Sequence, residues 1–119
     1  MSLHGKTLTE LKAGLDGGEF TAREIVEALI GRIESLDGNL NAFVTVLGES
    51  AIEQADASDA RRAAGEAGPL EGLPIVHKDI FCTRGVRTTC GSRMLENFVS
   101  PYNATVVERL AAAGAIMLG

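Results

Sequence analysis

One lysine is the strongest candidate for chemistry in this sequence. Lys78 lies in an apolar run, with Ile75 and Val76 before it and Ile80 and Phe81 after it. A lysine that is buried at the end of a strand loses its proton more readily, because desolvation disfavours the ammonium form. A neutral amine can then act as a general base toward a serine hydroxyl. Taken alone, the same pattern also fits a solvated strand-end residue or an ion-pair partner, so the residues leave these alternatives open.

The polar residues around Lys78 are predicted to have structural roles. Adjacent side chains of an extended segment point to opposite faces, so His77 and Asp79 are predicted to face away from Lys78. Asp79 is predicted to hold a turn or a backbone donor, and His77 to be a core or rim residue. A hydroxyl-rich stretch downstream is predicted to be a turn that bonds its own backbone, and it comprises Thr88, Thr89, Gly91 and Ser92.

The sequence lacks the motifs of several other kinds of functional site. It contains no Ser-His-Asp set, no Gly-x-Ser-x-Gly elbow, no Walker-type loop and no dinucleotide-binding glycine pattern. The two cysteines, Cys82 and Cys90, and the two histidines, His4 and His77, do not have the spacing of a zinc site. We predict that both cysteines are free thiols that serve in packing.

Length and charge narrow the class of protein. A chain of 119 residues is long enough for one small domain. Its net charge of -5 makes it a poor candidate for holding a phosphate backbone on its own. No stretch approaches the roughly 20 apolar residues of a membrane span, and no secretory apolar core follows the N-terminus. These observations predict a cytoplasmic protein without a membrane partner.

The N-terminal half is predicted to be helical. Three capping boxes mark helix starts, at Thr7-x-x-Glu10, Thr21-x-x-Glu24 and Ser50-x-x-Glu53. The first helix is predicted to end at Gly17-Gly18, the second at about Leu36, and the third to run from 51 to about 64. The short apolar segment 43–47 is predicted to be a strand or an extended segment.

The C-terminal half is predicted to contain strands. Residues 73–79 are predicted to form a buried strand that leads into a site, and residues 115–118 a second strand. Between them, residues 105–113 are predicted to form a helix, with Asn103 as a candidate cap. The order strand, helix, strand favours a parallel pair. A parallel strand at the end of a chain leaves an edge and a face uncovered, which indicates that more protein normally follows.

The stretch Gly72–Ser92 resembles the amidase-signature family. Its sequence, GLPIVHKDIFCTRGVRTTCGS, fits Gly-x-Pro-(three residues)-Lys-Asp followed by Gly-x-x-Thr-Thr-x-Gly-Ser. The continuation up to Gly119, MLENFVSPYNATVVERLAAAGAIMLG, is similar to one branch, the A (glutaminase) subunits of bacterial glutamyl-tRNA(Gln)/aspartyl-tRNA(Asn) amidotransferases. The N-terminal helices fit this branch as well. The resemblance therefore covers nearly the whole chain and is most specific from Leu73 onward.

The resemblance implies a fold and a catalytic residue. It implies the N-terminal helices and first strands of a mixed-sheet α/β sandwich, incomplete in this chain. Residues 1–119 would be the N-terminal part of a single amidase domain, helical in 1–66 and strand-rich in 67–119. In the family's Ser-cis-Ser-Lys triad the lysine maps onto Lys78.

The two serines of the family triad have no counterpart in this sequence. The resemblance places both in a Gly-Ser-Ser-Gly-Gly-type segment expected after Gly119, and neither role transfers to Ser92 or Ser100. The members of such a triad act as a unit. This polypeptide by itself is therefore expected to have no glutaminase activity.

The family also implies partners for the parent enzyme. Glutamine would be hydrolysed to supply ammonia for converting Glu-tRNA(Gln) to Gln-tRNA(Gln), in a complex with B and C subunits. The B subunit would use ATP and Mg²⁺ and would bind the tRNA, and this chain would hold no cofactor or metal. Two alternatives stay open: another amidase-signature hydrolase of small carboxamides, and a non-catalytic truncated module.

Overall fold

The computed structural model describes residues 2–119 and has an α/β architecture in which helices predominate. The elements in chain order are α1 (Leu8–Asp16), α2 (Ala22–Leu40), α3 (Gly48–Ala63), β1 (Pro74–Ile75), α4 (Thr105–Ala112) and β2 (Ile116–Met117), with short 3-10 helices at Leu3–Gly5 and Arg93–Leu95. Helices α1 to α3 precede both strands, and α4 connects the strands, which is the predicted order.

Local capping interactions start the first two helices where the sequence predicted. The Thr7 hydroxyl accepts a hydrogen bond from Glu10 N at 3.2 Å, and the Glu10 carboxylate accepts one from Thr7 N at 2.7 Å. Thr21 and Glu24 form the same reciprocal pair at the start of α2. Each pair satisfies backbone donors that have no partner inside the helix.

The third predicted capping box is wrong. Helix α3 begins at Gly48, with Leu47 as its N-cap, so Ser50 already lies in the first turn. A tertiary contact sets this start, because Leu47 N donates to the carbonyl oxygen of Leu118 at 2.8 Å while the Leu47 carbonyl accepts from Ala51 N. The preceding segment 43–47 forms no strand in the described structure.

Helix α2 continues beyond its predicted end. It runs through Gly38 to Leu40 and ends at Asn41, which adopts a left-handed conformation with φ of 51°. A glycine inside a helix lowers its stability by only about 1 kcal/mol, so Gly38 weakens the helix without ending it. Asp37 completes the cap, because its Oδ1 accepts from Ala42 N at 2.7 Å.

One apolar core joins the helices to the sheet. Its buried members come from α1, α2, α3 and both strand regions: Leu11, Leu15, Ala22, Ile25, Val26, Ala51, Ala55, Leu73, Ile116 and Leu118. The first three helices are therefore held together by burial of their apolar faces. Within residues 2–119, none of the helices combines the length and apolar character needed to cross a membrane.

The predicted parallel strand pair is confirmed, but the strands are shorter than predicted. Pro74 pairs with Ile116 and Ile75 with Met117. Instead of a buried strand from 73 to 79, β1 has two residues, both part-buried, and Val76 is exposed. The pairing continues only to His77 N, which donates to the carbonyl of Gly119 at 3.0 Å, and the chain then turns back at Lys78.

Helix α4 starts without the predicted side-chain cap. Its N-cap is Ala104, which offers no side-chain hydrogen bond. The Oδ1 atom of Asn103 instead accepts a hydrogen bond from Arg84 N at 2.7 Å. Asn103 therefore ties two loops together, and its prediction as a helix cap is wrong.

A buried carboxylate fixes the chain just before β1. Glu71 is only 3% exposed and accepts hydrogen bonds from Ser58 Oγ at 2.8 Å and from Arg61 Nε and Nη2 at 2.8 and 2.9 Å. Arg62 Nη2 donates to the backbone carbonyl of Glu71 at 2.9 Å. Three residues of α3 thus hold the turn that leads into the first strand.

The turn before β2 packs directly against this carboxylate. Gly114 has a φ of +96°, and a Cβ at that position would lie 2.6 Å from a carboxylate oxygen of Glu71. Two backbone hydrogen bonds join the turns, from Leu70 N to Ala113 O at 2.9 Å and from Gly72 N to Gly114 O at 3.0 Å. Both strands therefore start from one fixed point.

The Glu71 network makes stability depend on pH. Hydrogen bonds from Arg61 hold the pKa of the Glu71 carboxyl below its ordinary value of 4.5, against the opposing effect of burial. Such a group stabilises the fold above its unfolded pKa, and this stabilisation is lost as pH falls through the folded pKa. We predict that Glu71→Gln lowers the free energy of unfolding by about 2 kcal/mol at neutral pH, and that the difference shrinks in acid. Urea unfolding of both proteins at several pH values measures this.

Glu66→Gln is the matched control. Glu66 is exposed in the loop before Glu71, and its carboxylate makes no hydrogen bond within residues 2–119. Its replacement should change the free energy of unfolding by less than about 0.5 kcal/mol. Equal losses in the two variants would contradict a specific role for Glu71.

Candidate active site

Lys78 borders an open groove with a volume of about 410 Å³. The chain turns back directly after it, because the Lys78 carbonyl accepts hydrogen bonds from Ile80 N at 2.7 Å and Phe81 N at 3.1 Å. Lys78 is exposed within residues 2–119, so the predicted burial is not found in this chain.

The turn also changes how the neighbours of Lys78 are arranged. His77, Lys78 and Asp79 all border the same groove, whereas a continuous strand would have alternated their directions. His77 is part-buried, as a rim residue should be, and its ring meets that of Phe81 edge to face with centroids 6.3 Å apart. Burial lowers the pKa of His77 below its ordinary value of 6.5, which favours a neutral imidazole at physiological pH.

Asp79 has the structural role that the sequence predicted. Its Oδ1 accepts a hydrogen bond from Thr89 N at 2.9 Å, and its Oδ2 accepts one from the Thr89 hydroxyl. Its backbone carbonyl accepts from Cys90 N at 2.8 Å. These bonds attach the loop around Thr89 to the turn that carries Lys78.

The hydroxyl-rich stretch bonds its own backbone as predicted, except that the Thr89 hydroxyl also donates to Asp79. The Thr89 hydroxyl accepts from Gly91 N at 3.1 Å, and the Ser92 hydroxyl accepts from Met94 N at 3.2 Å. Ser100 is 1% exposed and donates its hydroxyl to the carbonyl of Tyr102 at 2.6 Å. Neither serine borders the groove, so the structure gives no support for either as a nucleophile.

Both cysteines are free thiols, as predicted, but they differ in exposure. Cys82 is part-buried, and its sulfur lies 3.8 Å from the Tyr102 hydroxyl, a contact that raises the pKa of Tyr102. Cys90 is exposed and has a left-handed conformation with φ of 53°. The predicted packing role therefore fails for Cys90, because the tight turn directs this residue to the surface.

Arg87 is a residue of this groove that the sequence did not reveal. Its Nη1 donates to the carbonyl of Glu96 at 3.0 Å and its Nη2 to the carbonyl of Val44 at 3.3 Å. The guanidinium thus joins the segment after α2 to the loop after Asp79. Its acceptors are backbone carbonyls distant in sequence, so no motif could have indicated the contact.

The groove offers basic nitrogens but no serine within the part of the chain that the structure describes. Lys78 and His77 both border it, and each can accept a proton when its side chain is neutral. The carboxylate of Asp79 is hydrogen-bonded to Thr89, and the guanidinium of Arg87 is hydrogen-bonded to backbone carbonyls. Residues 2–119 also contain no group of three or more His, Cys, Asp or Glu side chains arranged to hold a metal ion.

The α/β fold and the sequence together identify the class of this protein as the amidases. The model of the Amidase family matches residues 24–119, and the chain belongs to this family. It is 61% identical to the A subunit of the glutamyl-tRNA(Gln) amidotransferase of Alcanivorax borkumensis, over 98% of this chain and 25% of that protein. The corresponding A subunit of Methylococcus capsulatus is 62% identical over 98% of this chain and 24% of that protein.

Solved structures agree with this family and fold. The native peptide amidase from Stenotrophomonas maltophilia superposes with a TM-score of 0.89 at 31% identity, over 97% of this chain and 24% of that one. A second structure comes from a vestigial protein complex that reveals the evolutionary origins of an s-triazine catabolic enzyme. It superposes with a TM-score of 0.90 at 39% identity, over 96% of this chain and 25% of that one. This chain thus spans about a quarter of the length of its relatives.

We predict that Asp79 controls the mobility of the loop at Thr89. Asp79→Ala removes the acceptor of Thr89 N, so amide hydrogen exchange at Thr89 should become at least about tenfold faster. Asp79→Asn keeps one oxygen acceptor and should give an intermediate rate. The measurement is residue-resolved hydrogen exchange by NMR at fixed pH.

The control for this prediction is Glu96→Ala. Glu96 is exposed in the neighbouring loop, and its carboxylate makes no hydrogen bond in the described part of the chain. This variant should leave exchange at Thr89 unchanged. An unaltered rate in Asp79→Ala, or an equal acceleration in Glu96→Ala, would show that Asp79 does not hold the loop.

Proposed function

We propose that this chain contributes the catalytic lysine of the glutaminase (A) subunit of a glutamyl-tRNA(Gln) amidotransferase. In this proposal the whole enzyme hydrolyses glutamine and supplies ammonia for converting Glu-tRNA(Gln) to Gln-tRNA(Gln). The observation that carries the proposal is the 61% identity to the A subunit of such an enzyme over 98% of the chain. The location of Lys78 on a groove, after a strand that pairs in parallel, supports it.

The proposed chemistry is amide hydrolysis through a serine ester. The neutral amine of Lys78 accepts a proton through a bridging serine in a cis peptide, and the activated nucleophilic serine attacks the side-chain carboxamide carbon of glutamine. The carbon–nitrogen bond breaks, the nitrogen takes up the proton and leaves as ammonia, and water then hydrolyses the ester to glutamate. Both serines come from the family segment that has no match in these residues.

The described residues support this role by holding Lys78 in place on both sides. Before it, β1 is paired with β2, and after it the turn at Phe81 and the bonds from Asp79 to Thr89 fix the backbone. A general base must lie within hydrogen-bond reach of the proton that it takes, so such preorganisation favours the reaction. A neutral amine also needs desolvation. The proposal therefore requires the rest of the enzyme to cover Lys78.

Partners and cofactors follow from the same proposal. The protein works in the cytoplasm with B and C subunits, and ATP and Mg²⁺ are used by the B subunit rather than by this chain. The tRNA is held through the complex, which suits the net charge of -5. Glutamine is the substrate of the groove, and no membrane is involved.

We predict that Lys78 is essential in the full-length protein in complex with B and C. Lys78→Ala should lower the rate of glutamate release from glutamine by at least about 10³-fold, because the triad acts as a unit. Lys78→Arg should be equally inactive, since a guanidinium does not lose its proton. Activity in Lys78→Arg would indicate that positive charge, not proton transfer, is the role of Lys78.

Lys12→Ala is the matched control for these variants. Lys12 is one of three lysines in the chain and is paired with Asp16 on the exposed face of α1. Its replacement should leave the rate within about twofold, because an exposed pair of this kind contributes little to stability. A comparable loss in Lys12→Ala would mean that the effect at Lys78 is not specific.

A different amidase is the competing proposal, favoured by the similarity to the peptide amidase. Parallel assays of the full-length enzyme with glutamine and with a C-terminally amidated peptide distinguish the two. If ammonia is released from the peptide amide but not from glutamine, and the release is lost in Lys78→Ala, the peptide amidase proposal replaces the glutaminase proposal. Folded full-length protein that is inert toward both would favour the non-catalytic module.

The 119-residue chain alone should release no ammonia from glutamine, because the family's two serines have no match in it. The measurement is an ammonia assay with the purified chain and its Lys78→Ala variant. Glutamine-dependent release that disappears in the variant would contradict the prediction.

A further inference from the structure

The groove beside Lys78 is lined by segments that are distant in sequence. Residues 42–45, which belong to the connection between α2 and α3, line it together with residues between 76 and 88 and the end of β2. The connection as a whole, residues 42–47, is called the 42–47 segment below. Because this segment and the loop after Asp79 border the same groove, the distance between them determines how wide the groove is.

Both ends of the 42–47 segment are tied to other parts of the fold. At its start, Asp37 Oδ1 accepts hydrogen bonds from Ala42 N at 2.7 Å and from Phe43 N at 3.3 Å. At its end, Leu47 N donates to the carbonyl of Leu118 at 2.8 Å. These bonds fix where the segment begins and ends, but they do not reach its middle.

The middle of the segment depends on Arg87. Its Nη2 donates to the carbonyl of Val44 at 3.3 Å, and this is the one hydrogen bond to residues 44–46 within residues 2–119. The hydroxyl of Thr45 is buried and has no hydrogen-bond partner in the same part of the chain. An enclosed hydroxyl without a partner is unfavourable, so the segment needs another contact to stay in this position. The bond from Arg87 supplies it.

Arg87 is itself held firmly in its loop. It pairs with Val99 in an antiparallel bridge, and the next residue, Thr88, donates its N–H to the carbonyl of Phe98 at 3.0 Å. Its Nη1 donates to the carbonyl of Glu96 at 3.0 Å. A guanidinium carries separate nitrogens in a rigid fork, so it can bond two carbonyls on different segments at once. A single ammonium nitrogen lacks this fork.

We propose that Arg87 is a positioning residue that sets the width of the Lys78 groove by holding the 42–47 segment against the loop after Asp79. This inference rests on the proposed glutaminase function. The backbone of Lys78 is fixed by β1 and by the turn at Phe81, not by Arg87. Loss of Arg87 should therefore weaken the fit of the glutamine side chain more than it slows the chemical step.

Steady-state kinetics of the full-length protein in complex with B and C test this role. Arg87→Gln should raise KM for glutamine by at least about fivefold and leave kcat within about threefold. Arg87→Lys keeps the charge but not the fork, so it should raise KM by a similar factor. An unchanged KM in Arg87→Gln would overturn the proposal. A normal KM in Arg87→Lys would assign the role to positive charge and would also overturn it.

Arg93→Gln is the matched control. Arg93 lies three residues before Glu96, is exposed, and makes no side-chain hydrogen bond in the described part of the chain. It does not border the groove. Its replacement removes the same charge and should leave KM and kcat within about twofold. An equal rise of KM in this variant would overturn a specific role for Arg87.

Hydrogen exchange tests the contact without relying on activity. In the full-length protein, Arg87→Gln should make exchange over residues 42–47 at least about threefold faster, because the bond from Leu47 to Leu118 opens more often once the middle is released. Mass spectrometry of the peptide that covers the segment measures this, and unchanged exchange would overturn the proposal. A wild-type enzyme that releases no glutamate would contradict the proposed function, while exchange would still decide whether Arg87 holds the segment.

Discussion

The position of both strands depends on the buried carboxylate of Glu71. Its hydrogen bonds to Ser58 and Arg61 join the turn before β1 to α3, and its contact with Gly114 joins that turn to the one before β2. A buried carboxylate without partners is strongly unfavourable, so this arrangement is selective for one geometry. Because the strands start from this point, the register of β1 on β2, and with it the location of Lys78, follows from the Glu71 contacts.

Part of the fold could be predicted because some determinants act within one turn of chain. The caps at Thr7 and Thr21 involve only residues three positions apart, and both predictions were right. The start of α3 depends instead on a hydrogen bond between Leu47 and Leu118, which are brought together only by folding. The same pattern at Ser50 therefore gave a wrong prediction, because a tertiary contact decided the start of the helix.

The residues of the candidate site likewise differ in how far the sequence could predict them. The structural role of Asp79 was predicted from its position beside Lys78, but its partner Thr89, ten residues further along the chain, was not predicted. The apolar neighbours of Lys78 made it a candidate base, and only the family resemblance predicts a catalytic role for it. Arg87 was not predictable, because its acceptors at Val44 and Glu96 are backbone carbonyls that carry no signal in the sequence. Residues that bond to distant backbone are the class that sequence patterns miss.

The location of Lys78 and its proposed role as a base depend on different physical conditions. Its location follows from short contacts within residues 2–119, namely the pairing of β1 and the turn at Phe81. Base catalysis needs desolvation of the amine, and Lys78 is exposed here. The proposed role of Lys78 as a base therefore depends on parts of the enzyme outside residues 2–119, whereas the location of its amine does not.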